Sequence, residues 1–198
     1  MLVVGWRLGV EFPVGGGYRR VESYPPLVYL PQVVPPPRIK AGAAILVEAV
    51  SGMILYAKDE HVRKAPASTT KIMTAIVALE RGKLSDVVTV SPRAARTGGS
   101  SLGLKAGEKI VLGELLEGVM LRSANDGSVA LAEHIGGSEQ NFVKLMNMKA
   151  REIGALNTNF SNAHGLTVPN HYSSAFDLAL MARYGFGLPE FVRLVGTR

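Results

Sequence analysis

The chain has 198 residues, 47% of them apolar and 19% charged, the proportions of a globular protein with a real core. It contains no cysteine, which excludes disulfides and thiolate metal sites and leaves the redox compartment open. The net charge of +6 comes from Lys and Arg placed singly, without basic runs interleaved with aromatics, so nucleic acid is not an expected partner. A negatively charged wall or membrane surface suits the same excess, through peripheral association.

The four histidines, His61, His134, His164 and His171, show no HExxH or comparable ligand spacing, so neither a metal nor another cofactor is expected. No apolar run approaches the roughly 18 residues of a membrane-spanning helix. Met1 to Val10 is apolar but is interrupted by Arg7 and followed by no small-residue cleavage site, so no secretory signal is legible.

In chain order, residues 1–37 are punctuated by Gly15-Gly16-Gly17, Pro25-Pro26, Pro31 and Pro35-Pro36-Pro37. Such composition resists helix and central strand and predicts an N-terminal extension or linker, with the main domain at 38–198. Two short apolar runs, Ala43–Ala49 and Met53–Ala57, flank Ser51-Gly52 and predict a β-hairpin. From Ser68 onward Ile72, Met73, Ala75, Ile76 and Leu79 follow a period near 3.6, between Pro66 and Gly82, and predict a helix. A short strand is expected at Val87–Val90, then an irregular region rich in Gly and Ser from Ser91 to Gly107. Helical spacing returns over Gly113–Leu121, breaks at the polar segment Arg122–Gly127 and resumes over Ser128–Ile135. Ser138 is a good N-cap for the next helix, which Gly154 ends, and Ser174-x-x-Asp177 opens a last one over Phe176–Tyr184. The fold class is therefore α+β: a hairpin at the front, then a mainly helical body.

Two motifs carry chemistry. Ser68 and Lys71 stand three apart on the opening turn of a helix, hence on one face, where an amine can serve a serine nucleophile and unpaired backbone N–H groups can serve an oxyanion. Ser-x-x-Lys recurs by chance, and Ser68 alone could be no more than a helix cap. Ser123-Ala124-Asn125 lies in the polar break between two apolar helices, where a hydroxyl and a carboxamide suit proton relay and holding a substrate amide. In this order the two motifs form the signature of penicillin-recognising serine enzymes.

The chain accordingly resembles the D-alanyl-D-alanine carboxypeptidases, the low-molecular-mass penicillin-binding proteins, with a β-lactamase/transpeptidase-like fold. The resemblance runs through Pro66–Ala75, Gly98–Leu104, Leu121–Asp126, Ala130–Ile135, Asn162–Leu166 and Pro169–Ser173, covering roughly residues 38–183. It departs mildly in Ala124, where the family usually has glycine. It implies that Ser68 attacks the carbonyl between two D-alanines of a peptidoglycan pentapeptide, that Lys71 takes its proton and that Ser123 relays one to the leaving amine. Asn125 would orient Lys71 and bind the substrate amide, and β-lactams would acylate the same serine. The implied location is extracytoplasmic, in the periplasm or cell envelope.

His164 invites a Ser-His-Asp reading with Asp126 or Asp177 as third member, but the resemblance gives it a structural place on a loop that shapes the site. The family's third motif, Lys-Thr-Gly, is not in the sequence; Gly196-Thr197-Arg198 is out of order. That motif's strand would bind the substrate carboxylate and give half of the oxyanion hole, so the C-terminal core strands are expected to be missing and the chain to be a fragment with little or no activity. The alternatives are a serine β-lactamase, weakened because no Glu lies between Glu152 and Glu190, and a non-catalytic peptidoglycan or β-lactam binding module.

Overall fold

The computed structural model describes residues 2–3, 26–29 and 35–197. Two short pieces of the N-terminal stretch, β1 (Leu2–Val3) and β2 (Val28–Tyr29), flank the expected hairpin of β3 (Ala44–Val47) and β4 (Met53–Lys58). The sheet order is β1-β3-β4-β2, with β3 and β4 antiparallel and each flanking strand parallel to its neighbour. Pieces of the Pro- and Gly-rich stretch thus enter the sheet at its edges, where such sequence is tolerated. The remainder of residues 1–37, apart from 26–27 and 35–37, lies outside the described residues.

The hairpin turn is built by Glu48, whose carboxylate accepts from the Val50 and Ser51 N–H groups and the Ser51 hydroxyl. Gly52 closes it with φ +79°, and a Cβ there would lie 2.8 Å from Arg183 Nη1. Arg183, on the last helix but one, donates to Ala49 O and Val50 O and so fastens the turn to the helical body.

A 3₁₀ turn, Ala67–Thr70, leads directly into α1 (Lys71–Arg81). The sequence periodicity gives α1 one apolar stripe, yet Met73, Thr74, Ala75, Ile76, Val77 and Ala78 are all buried. The reason is its central place: five helices that follow it in the chain all pack against it. Lys149, on one of those helices, adds a polar tie, reaching Glu80 of α1 at 2.8 Å and the Tyr184 hydroxyl at 3.3 Å.

The region from Ser91 to Gly107 is more ordered than its composition predicts. Ser91 Oγ caps α2 (Pro92–Ala95) by accepting from Ala94 N–H, with Pro92 at the first helical position. Beyond it β6 (Lys109–Val111) pairs antiparallel with β5 (Val87–Thr89) in a second, two-stranded sheet. Helices α3 (Leu112–Arg122) and α4 (Asn125–Gly136) are parted by only Ser123 and Ala124, so α4 begins three residues earlier than the polar composition suggests. Ser138 caps α5 (Glu139–Ile153), Gly154 ends it with φ +89°, and Ser174 caps α6 (Ala175–Phe186). A final helix, α7 (Pro189–Gly196), seats Phe191 and Leu194 in the core. The main core joins Met73 and Ile76 of α1 to Leu115 and Leu116 of α3, Leu131 of α4, Phe142 and Met146 of α5 and Leu178 of α6. A smaller cluster of Ala43, Ile45, Ile54, Ala175 and Ala179 fixes α6 to the sheet.

Candidate active site

The nucleophile candidate sits on a tightly drawn bend. Ala67 has φ +49°, a left-handed conformation that costs a residue with a Cβ about 1–2 kcal/mol. Ser68 follows, exposed, with its N–H in the first turn of the 3₁₀ segment; Thr69 Oγ1 donates to Pro66 O at 2.6 Å. Gly165 presses on this bend from the other side: with φ +95°, a Cβ there would stand 2.0 Å from Ala67 O. Thr70 is held from the same direction. His171 Nδ1 accepts from Ser161 N–H at 2.9 Å, so its Nε2 carries the proton and donates to Thr70 Oγ1 at 2.8 Å. Burial pulls His171 down to about 4, which keeps that tautomer neutral at ordinary pH.

Lys71 is only 3% exposed. Its Nζ donates to Asn125 Oδ1 at 2.8 Å and to the His164 carbonyl at 2.6 Å. Burial lowers its pKa to about 8, bringing the free amine within reach near neutral pH. A neutral amine has two N–H groups and one lone pair. When the two N–H groups are spent on Asn125 and His164, the lone pair faces the one remaining direction, which is what a general base requires. Lys71 Nζ bonds Asn125 and His164 and makes no hydrogen bond to Ser68 Oγ, so the reach expected from their spacing is not realised as a hydrogen bond.

Asn125, at the start of α4, is buried and held at both ends of its carboxamide. Its N–H donates to Ser100 O at 2.7 Å and its Nδ2 to Gly98 O at 2.8 Å. A carbonyl can only accept and an ammonium only donate, so these partners fix which way the carboxamide faces. Gly99, with φ +89°, lets the loop lie this close, since a Cβ there would be 2.5 Å from Asn125 Nδ2. Ser123 forms the left-handed C-cap of α3 at φ +53°, and its buried Oγ has no hydrogen-bond partner among the described residues. The structure therefore brings Lys71 and Asn125 into contact, puts Ser68 one turn before Lys71, and leaves Ser123 two residues from Asn125 with an uncommitted hydroxyl.

Several site-building residues carry no signal in a pattern of nucleophile and base. Asp126 accepts from Ser101 Oγ at 2.6 Å and from the N–H groups of Leu102, Gly103, Leu104 and Gly127, and so fastens the loop that contacts Asn125. Burial alone would push its carboxyl up; the Ser101 hydroxyl and these N–H groups outweigh that and hold it below the usual carboxylate range. Asp177 accepts instead from Asn157 N–H and Thr158 Oγ1. Neither aspartate bonds His164, so no Ser-His-Asp array forms. The His164 ring accepts from Leu166 N–H at 3.2 Å and lies 3.6 Å from Glu139, and what it offers Lys71 is its backbone carbonyl. Burial lowers its pKa, partly countered by Glu139.

The chain as a whole is similar to known proteins. The family profile described as D-alanyl-D-alanine carboxypeptidase matches residues 31–188, most of the chain. The chain belongs to that family. The D-alanyl-D-alanine carboxypeptidase DacF of Bacillus subtilis is 47% identical over 163 residues, which are 80% of this chain and 42% of DacF. DacD of Escherichia coli is 37% identical over 175 residues, 82% of this chain and 45% of DacD. Among solved structures, DacD from Francisella tularensis superposes with a TM-score of 0.76 at 39% identity, covering 83% of this chain and 42% of that one. Penicillin binding protein 6B from Escherichia coli gives 0.78 at 36%, covering 83% and 56%. The transpeptidase-like fold that the family resemblance implied is thus the fold observed. The chain spans less than half the length of the curated relatives just named.

Proposed function

We propose that this chain carries the acyl-transfer machinery of a serine-type D-Ala-D-Ala carboxypeptidase. In this reading Ser68 Oγ attacks the carbonyl carbon of the penultimate D-alanine in a peptidoglycan stem peptide. Its proton passes to the Lys71 amine as the new C–O bond forms. The tetrahedral intermediate collapses by breaking the C–N bond; Ser123 hands its proton to the departing D-alanine and is reprotonated by Lys71, whose amine is thereby returned to the neutral form. Water then hydrolyses the Ser68 ester and regenerates the hydroxyl. Asn125 contributes twice, as the acceptor that orients Lys71 and as a carboxamide beside the substrate amide. A β-lactam would enter the same path at its first step and acylate Ser68.

The observation that carries this reading is the buried Lys71 amine, held on two neutral acceptors one turn beyond an exposed serine. Family membership supports peptidoglycan as the substrate class, and a peptidoglycan substrate supports action in the cell envelope. Among the described residues no helix is long and apolar enough to cross a membrane.

The test is covalent labelling of the 198-residue chain with a fluorescent penicillin, located by peptide mapping. Label at Ser68 that disappears in Ser68→Ala supports the nucleophile; equal label in the alanine variant sinks it. Release of D-alanine from a pentapeptide separates the carboxypeptidase from a β-lactamase, and from a binding module that takes the label without turnover.

A further inference from the structure

The turn that gives Lys71 its second acceptor is itself heavily bonded. Asn162 Oδ1 accepts from the N–H groups of His164 at 3.2 Å and Gly165 at 2.7 Å, and its Nδ2 donates to Leu166 O at 2.8 Å. Thr74 Oγ1 of α1 donates to Ala163 O at 2.6 Å. The remaining tie runs outward: Ala163 N–H donates at 3.0 Å to Oε1 of Glu139, in the first turn of α5.

Glu139 is 5% exposed, deep enough that a lone carboxylate there would be costly. Arg93 of α2 compensates it: Nη2 bonds Glu139 Oε2, while Nη1 lies 3.3 Å from Glu133 of α4. The His164 ring stands 3.6 Å from Oε1. Glu139 hydrogen-bonds neither Ser68 nor Lys71, and the proposed reaction gives it no proton to move. It nevertheless holds the segment that touches both ends of the Ser68–Lys71 turn, through the His164 carbonyl on Lys71 and through Gly165 against Ala67.

We propose that Glu139 is a positioning residue for acyl transfer, pinning Ala163 to α5 so that the His164 carbonyl stays on the Lys71 amine. The proposal rests on the reading of Lys71 as the base. If the turn drifts, Lys71 loses the acceptor that aims its lone pair, and misplacement by about 1 Å costs on the order of 100-fold in rate. Water also enters, and the amine regains the solvation that burial denied it. The charged and titratable groups around this contact are His164 on the turn, Glu139 on α5, Arg93 on α2 and Glu133 on α4, and His164 in turn acts electrostatically on His171. Placement and charge therefore act in opposite directions. Opening the turn raises the Lys71 midpoint, whereas removing only the carboxylate charge lowers it or leaves it alone.

The experiment titrates the Lys71 amine by NMR in the 198-residue chain with ¹³Cε-labelled lysine, the resonance assigned by its loss in Lys71→Met. In Glu139→Ala the midpoint should rise by about one pH unit as desolvation is relieved. In Glu139→Gln, which still offers Ala163 N–H an acceptor, it should not rise. Penicillin acylation at pH 7 should slow roughly 10- to 100-fold in the alanine variant and stay within about threefold of wild type in the glutamine variant. Glu139→Asp keeps the charge beside Arg93 but withdraws it by one methylene, and should raise the midpoint by less than alanine does. A Lys71 midpoint unchanged in folded Glu139→Ala overturns the proposal, as does one unchanged in Glu139→Asp should the alanine variant not fold. An equal rise in Glu139→Gln also overturns it. Wild type should itself acylate slowly, since the third motif is not in its sequence; if it takes no penicillin at all, the reading that this chain carries the acyl-transfer machinery fails, and the Lys71 midpoint still decides the role of Glu139.

Discussion

Asn125 and the His164 carbonyl each give Lys71 one acceptor, yet the segments that carry them are held in different ways. On the α4 side, the anchor is the neighbour in sequence: Asp126 gathers a hydroxyl and four backbone N–H groups, and its negative charge is met by these dipoles, with no ion pair among the described residues. On the side of the turn at 162–166, the anchor is Glu139, 24 residues from Ala163, and its charge is met by Arg93, whose side chain is half exposed. A carboxylate seated on backbone N–H groups behaves as part of the local fold. One balanced by an arginine is a contact between elements, and it holds only while α2, α4 and α5 keep their packing.

The sharpest way to break the α4 side is Asp126→Ala. It strands several buried donors at once, each worth about 1–3 kcal/mol, and should cost about 3–5 kcal/mol in urea denaturation. A loss below 1 kcal/mol would mean that the loop holds itself. The turn is attacked most directly by Gly165→Ala, since the new Cβ would collide with Ala67 O at a left-handed φ. Acylation should fall at least about tenfold, with a stability loss of about 2–4 kcal/mol. Gly103→Ala is its control: φ is +76° but nothing lies within 4 Å of the added Cβ, so only the conformational cost of about 1–2 kcal/mol should appear. Equal effects on acylation from the two glycines would mean that the pressure of Gly165 on Ala67 does not shape the bend before Ser68.

A milder probe is pH. With Lys71 lowered to about 8, its free-amine fraction rises about fivefold from pH 7 to pH 8, and penicillin acylation should rise with it and level off above that. The smallest effect should come from the other limb. The Asp126 carboxyl is lowered in the fold, so its stabilising contribution is complete above the ordinary value near 4 and is lost as pH falls through the lowered one. Asp126→Asn should therefore flatten the acid-unfolding limb without moving the alkaline rise in acylation, as monitored by circular dichroism against pH.

Elements whose signals are local were legible before any coordinates. Ser138 and Ser174 cap the helices they were expected to cap, Gly154 stops α5, and Ser51-Gly52 lies in the turn of a real hairpin. The three-residue strand β6 was not legible, because it has little pattern of its own and forms only by pairing with β5. Nor were β1 and β2, since edge pairing depends on what stands beside a segment more than on its composition. The burial of α1 on nearly every side escaped the same reading: a stripe of Ile and Met tells which residues prefer the core, not how many helices will surround them.

For the site, the sequence by itself determined the chemical types and the two short spacings, Ser68 to Lys71 and Ser123 to Asn125, because each is fixed within a turn of backbone. The tertiary structure alone decided that Lys71 is buried, that Asn125 is one of its acceptors, and that the other is a main-chain carbonyl 93 residues further along the chain. A carbonyl belongs to every residue and leaves no mark in the sequence. Only the packing that brings a particular one to a particular amine makes it part of a site.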